Sequence, residues 1–171
     1  MHPGMSPFVI VLEMKKLLKN LDACLDKAVA HAAAKKYDPN VLLQSRLAPD
    51  MLPLMFQIQT ACDTAKYAVS RTTGKDAPSH PDTEKTMEEA KQRIAKTIAY
   101  LDGYAKVDFD DIESRTVALP RWEGKSMTAI DYLIEHATPN FMFHVATAYG
   151  LLRHSGVDIG KRDFLGPMSW R

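Results

Sequence analysis

Pro139-Asn-Phe-Met-Phe-His-Val-Ala-Thr-Ala-Tyr-Gly-Leu-Leu-Arg-His154 is the stretch that decides the fold. Phe141, His144, Val145, Ala148, Leu151 and Leu152 recur at three- and four-residue spacing, so one side of a helix from Pro139 to about Ser155 is apolar. Gly156 stops it. His144 lies on that apolar side and therefore faces a core. Thr138 and Pro139 read as an N-cap followed by proline at the first helical position, which predicts a kink or break near Ala137. Upstream, Ser126 reads as the cap of a helix running through His136.

The same period returns in both directions along the chain. Phe8, Leu12, Leu18, Leu21, Leu25 and Val29 make a long first helix from Pro7 to about Lys36, and Tyr37 to Asn40 break it. Val41 to Leu47 forms a short helix in the connection. Asp50 reads as the N-cap of a second helix with Pro53 in its first turn. Leu54, Ile58, Ala61, Cys62, Ala65 and Val69 carry that helix to about Thr73, before Gly74. After a polar loop with Pro78 and Pro81, a third helix starts near Asp82, points Met87, Ala90, Ile94, Ile98 and Leu101 inward, and ends at Gly103. Tyr104 to Gly124 has no helical period and reads as a loop excursion or short hairpin over one bundle end; connections of this length often line a site. The tail from Val157 to Arg171 is expected to pack, because Phe164, Leu165 and Trp170 are costly to leave in water. Four long helices predict an all-α, antiparallel four-helix bundle, with residues 1–171 as a single domain.

Composition narrows the partners. The 22 basic and 21 acidic residues are mixed along the chain, so no broad field exists to hold a polyanion, and nucleic acid is excluded as the main partner. No stretch approaches the roughly 18 to 20 apolar residues of a membrane helix, and the apolar run Phe8 to Leu12 is too short for a secretory segment. The reading is a cytoplasmic protein with no membrane partner. Cys24 and Cys62 fall within helical apolar patterns and behave as small buried hydrophobes; no Cys-x-x-Cys spacing is present.

His144 is the first candidate for chemistry, since its near-neutral pKa suits it to acid–base work and its buried ring needs polar partners. Asn140 lies one turn before it. Asp50 and Gln57 are two turns apart, share a face, and are placed to enter the bundle at the end where Asn140 and His144 enter. Asp50 reads both as a cap and as the group orienting His144, and Gln57 as a buried hydrogen-bond partner. Tyr149 and Arg162 join Asn140 and Gln57 as candidate ligand-binding groups. His136 and His144 are eight residues apart, so neither a helical i, i+4 pair nor His-Glu-x-x-His is present. Arg153 and His154 suit a helix C-terminus, and Lys161-Arg162 lacks the glycine loop of a phosphate site.

The segments Arg46-Leu-Ala-Pro-Asp-Met51, Pro139 to His154, and Gly160-Lys-Arg-Asp-Phe-Leu-Gly166 resemble the family catalogued as domain of unknown function number nineteen ninety-three. That family is similar in fold to the DinB/YfiT-like metalloenzymes, and the resemblance covers nearly the whole chain. It implies a four-helix bundle, often dimeric, whose better-known relatives hold a divalent metal with three histidines and include thiol-dependent transferases and isomerases. In that pattern one ligand comes from the second helix and two from a His-x-x-x-His on the last. Here His144 matches the second of the pair, Asn140 stands at the first, and the second helix has no histidine. The expectation is a protein that binds or transforms a small organic molecule around His144 without a tightly bound metal or other cofactor, His144 acting as base and Asp50 orienting it. Two alternatives stay open. One is a non-enzymatic homodimeric interaction protein, and the other a divalent-metal thiol transferase that recruits His136 or Asp50 as a further ligand.

Overall fold

A computed structural model describes residues 6–170, so residues 1–5 and 171 of the expected single domain, including the last residue of the tail, lie outside the described residues. Helix α1, Phe8–Lys35, buries Val11, Met14, Leu18, Leu21, Leu25, Ala28 and Ala32 along one stripe. It ends on Lys36, whose left-handed backbone (φ 61°) turns its N–H back onto the carbonyls of Ala32 and Ala33. The connection forms a short 3-10 helix, Pro39–Gln44. Helices α2, Leu54–Thr73, and α3, Met87–Asp102, follow. The last helical region is continuous: one turn of α4 (Ala129–Asp131), a π-helical turn (Tyr132–Ala137) and α5 (Thr138–His154). Short α6, Lys161–Leu165, lies along α1, where Asn20 donates to the Phe164 carbonyl at 2.9 Å and Lys27 pairs with Asp163 at 2.7 Å.

Side-chain pairs fix the helix directions. Lys15 meets Asp102 while Lys91 meets Asp22, so α1 and α3 are antiparallel; Gln57 meets His144 while Thr64 meets Asn140, so α2 and α5 are antiparallel. Asp63 meets Arg93 while Lys75 meets Asp108 beyond the end of α3, so α2 and α3 run the same way. The bundle is thus antiparallel across two of its faces, and the long connections after α2 and α3 permit parallel neighbours. No helix among the described residues is long and apolar enough to cross a membrane. Cys24 and Cys62 are free and buried, and burial raises their thiols to about 11 and about 12.

Several boundaries differ from the sequence reading for identifiable reasons. Asp50 does not cap α2: it is exposed in a turn, Pro53 is the cap position, and the Leu54 N–H is already satisfied by the Ser45 carbonyl at 2.9 Å. Helix α3 starts five residues after Asp82, because Arg93 takes Asp82 and Glu84 as partners and leaves Thr86 and Glu89 to form the capping box. Ser126 lies in a strand, and Thr128 caps α4 instead. The excursion does hold a hairpin, Thr116–Ala118 paired antiparallel with Ser126–Thr128. The kink or break expected near Ala137 takes the form of a π-helical turn ending on Ala137, and the helix is not interrupted there. Proline at 139 has no N–H and would press on the Glu135 carbonyl in a regular α-helix; the turn before it widens to π geometry, and Thr138 Oγ1 takes the Leu133 carbonyl at 2.7 Å. In the tail, Phe164 and Leu165 are half-buried, but Trp170 stays 84% exposed.

Candidate functional site

Helices α2 and α5 set up a ladder of polar contacts between them. At one end His144 Nδ1 lies 2.8 Å from Gln57 Oε1, and Gln57 Nε2 donates to the Leu52 carbonyl at 2.8 Å. The second bond fixes the amide so that its oxygen faces the ring. His144 Nδ1 must therefore carry the proton, which leaves the lone pair on Nε2. Burial pushes the His144 pKa down, so the ring is neutral near pH 7. Phe56 and Phe143 pack edge-on against it. The neutral Gln57 holds the position in which Asp50 was expected, since Asp50 precedes the helix and shares no face with Gln57.

Beyond this pair the ladder opens into a cleft of about 320 Å³. Thr60, Asp63, Thr64, Tyr67 and Arg71 form one wall, a single stripe of α2. Tyr132, His136 and Asn140 face them, and Arg121 arrives from the hairpin. His144 does not line this cleft, whose lining starts one turn away at Asn140. Asn140 Nδ2 donates to Thr64 Oγ1 at 2.8 Å, and Thr64 Oγ1 donates to the Thr60 carbonyl at 2.7 Å. Asp63 is held from behind by buried Lys66 at 2.8 Å and buried Arg93 at 2.9 Å.

The other end of the cleft is cationic. Arg71 donates to the Tyr132 hydroxyl at 2.9 Å and lies over the Tyr67 ring at 4.3 Å. Arg121 Nη2 is 2.9 Å from His136 Nε2. A guanidinium can only donate, so His136 Nε2 accepts and Nδ1 carries the proton; that Nδ1 is buried without a partner. His136 stacks on Tyr132, with ring centroids 5.3 Å apart. Burial first, then the charges of Arg121 and Arg71, hold the His136 pKa below the ordinary imidazole value.

The family model for the domain of unknown function DUF1993 matches residues 8–165. The chain belongs to this family. The crystal structure of a DinB family member protein from Shewanella denitrificans superposes with a TM-score of 0.93 at 48% sequence identity, covering 96% of this chain and 94% of that one. The DUF1993 chain is accordingly an all-α bundle of DinB-like fold. No curated protein matches it.

The three-histidine metal pattern does not fit this DUF1993 chain. Among the described residues no three or more His, Cys, Asp or Glu side chains are grouped so that they could hold a metal ion. Where the pattern calls for ligands there are one imidazole nitrogen, on His144, and the amide of Asn140, while the Gln57 oxygen is already bonded to His144. Zinc and similar ions favour three imidazole, thiolate or carboxylate donors. His136 bonds Arg121 and does not join His144, and Asp50 stays in its exposed turn.

Tyr149 and Arg162 are not brought to the cleft. Tyr149 packs edge-on against Phe164, 5.7 Å away, beside Leu17, Asn20 and Cys24 between α1 and α5. Arg162 is exposed on α6. Conversely, sequence reasoning missed Thr60, Asp63, Thr64, Tyr67, Arg71, Arg121 and Tyr132. The α2 members were legible as a polar stripe at helical spacing opposite the apolar one. Arg121 carried no such signal, because it reaches the cleft from an aperiodic connection.

Proposed function

We propose that this protein binds a small organic molecule in the cleft between α2 and the last helical region, without a metal to hold it. The observation that carries the reading is the cleft itself: about 320 Å³, at the small end of ligand pockets, with aromatic walls and a few fixed polar groups. Asn140, Thr64 and Thr60 offer hydrogen bonds along its length, and Tyr67 and Tyr132 offer apolar faces. His144, a neutral ring held by Gln57 rather than Asp50, stands one turn beyond this lining.

The test is titration of chelator-treated protein with a library of small organic molecules, comparing wild type with Thr60→Phe. Thr60 is half-buried on the cleft wall, so the larger ring fills the cleft from its edge. Ligands are expected to bind the chelated protein and to weaken at least tenfold in the variant. Binding that ignores the substitution, or that needs a stoichiometric divalent metal, overturns the reading.

A second reading, homodimerisation, is favoured by one observation. Leu52 and Phe143 flank the His144–Gln57 pair and stand 47% and 54% exposed, with Met142 beside them. Two copies packing these faces together would cover them. Sedimentation is expected to show a dimer that Phe143→Ser dissociates, and a wild-type monomer at high micromolar concentration contradicts it.

A further inference from the structure

We propose that Arg71 and Arg121 form an oxyanion subsite at the hairpin end of the cleft, so that the bound molecule carries a carboxylate or phosphate there. The inference rests on the cleft being the ligand site and adds the chemical class of ligand. Its basis is an unbalanced charge. Arg71 and Arg121 make no ion pair with a carboxylate among the described residues, and the one carboxylate lining the cleft, Asp63, is already shared by Lys66 and Arg93. Two positive charges therefore face the cleft without an answering negative one.

Both guanidiniums also spend a donor on a neutral acceptor, Arg71 on the Tyr132 hydroxyl and Arg121 on the His136 ring. These bonds hold the groups in place while their remaining N–H donors stay available for a forked contact. A bond from guanidinium to an anionic oxygen is roughly twice as strong as a neutral one, so an oxyanion competes well for these donors. The stack of His136 on Tyr132 ties the two arginines together, since Tyr132 holds one and His136 the other. Thr60, Thr64 and Asn140, further along α2 and α5, are left for the uncharged body of the molecule.

The experiment titrates the full chain, by calorimetry or ligand-observed NMR, with benzoate, inorganic phosphate and neutral benzamide. Wild type, Arg121→Gln, Arg71→Gln and Thr60→Phe are compared at low and high salt. Arg121 is exposed, so its variant keeps the fold even if Arg71→Gln does not. Saturable anion binding that falls at least tenfold in Arg121→Gln, and also falls with salt, supports the subsite. Preference for benzoate assigns it to carboxylates, and preference for phosphate assigns it to phosphorylated ligands. Anion binding that survives Arg121→Gln unchanged, or benzamide binding lost in Thr60→Phe with no anion binding in any form, overturns the subsite and leaves the cleft intact. If no probe responds to Thr60→Phe, the cleft reading falls with it.

Discussion

His136 and His144 lie two turns apart on one continuous helix and are held neutral by different neighbours. Burial alone acts on His144, whereas the positive charges of Arg121 and Arg71 add to burial at His136. NMR titration is expected to place both midpoints below about 6.5, the ordinary imidazole value. Arg121→Gln should raise only the His136 midpoint. Gln57→Glu should carry His144 the other way, above that value, because a carboxylate would then accept its Nδ1–H. Gln57→Leu leaves that buried N–H without an acceptor and should cost roughly 1 to 3 kcal/mol in chemical denaturation. A lowered folded pKa means that the unfolded chain takes up the proton first as pH falls. The stability these rings contribute is therefore complete above the ordinary imidazole value and is lost as pH drops through the folded midpoints. His80 shifts in the same direction. Thermal melts should move down between about pH 7.5 and about pH 5.5, before the lowered carboxylates of Glu84 and Asp163 begin to titrate.

At the level of elements, the π turn is what aims the site. Tyr132 and His136 both belong to this wider turn, and from it they meet Arg71 and Arg121. Pro139→Ala restores an N–H and removes the reason for the wide turn, so the variant should hold or gain stability while losing cleft ligands. Equal ligand affinity in that variant would contradict the role given to the turn. Thr86→Ala breaks the capping box of α3 and should cost about 1 kcal/mol. How much of this was legible follows from the range of the forces. Stripes such as Leu18, Leu21 and Leu25 depend only on spacing, so the helices could be read directly. The Thr86–Glu89 box was local and readable too, but Asp82 looked like an earlier start because its partner Arg93 is eleven residues away. Asp50 looked like a cap because the sequence does not show the Ser45 carbonyl folding back to serve Leu54. His144 and Gln57 could be paired by face, whereas Arg121 joins the cleft only through the hairpin.

Across the whole molecule, one buried cluster ties the cleft to the rest of the bundle. Arg93 is 2% exposed and reaches Asp63 on the cleft wall together with Asp82 and Glu84 on the α2–α3 connection, while Gln59 holds Glu84 from α2. Removing the cation leaves carboxylates facing one another in a half-buried site. Arg93→Met is expected to lose about 3 kcal/mol or more, and to weaken cleft ligands because Asp63 loses a partner. On the proposed reading, a DinB-like bundle lacking the three-histidine ligand set still binds a ligand in its cleft. Two-dimensional NMR of the chelator-treated chain during titration with a small aromatic acid tests it most directly. The expected result is saturable shifts confined to residues 60–71, Arg121 and residues 132–140, unchanged when zinc is added. Shifts that centre on His144 and appear only with zinc would contradict it.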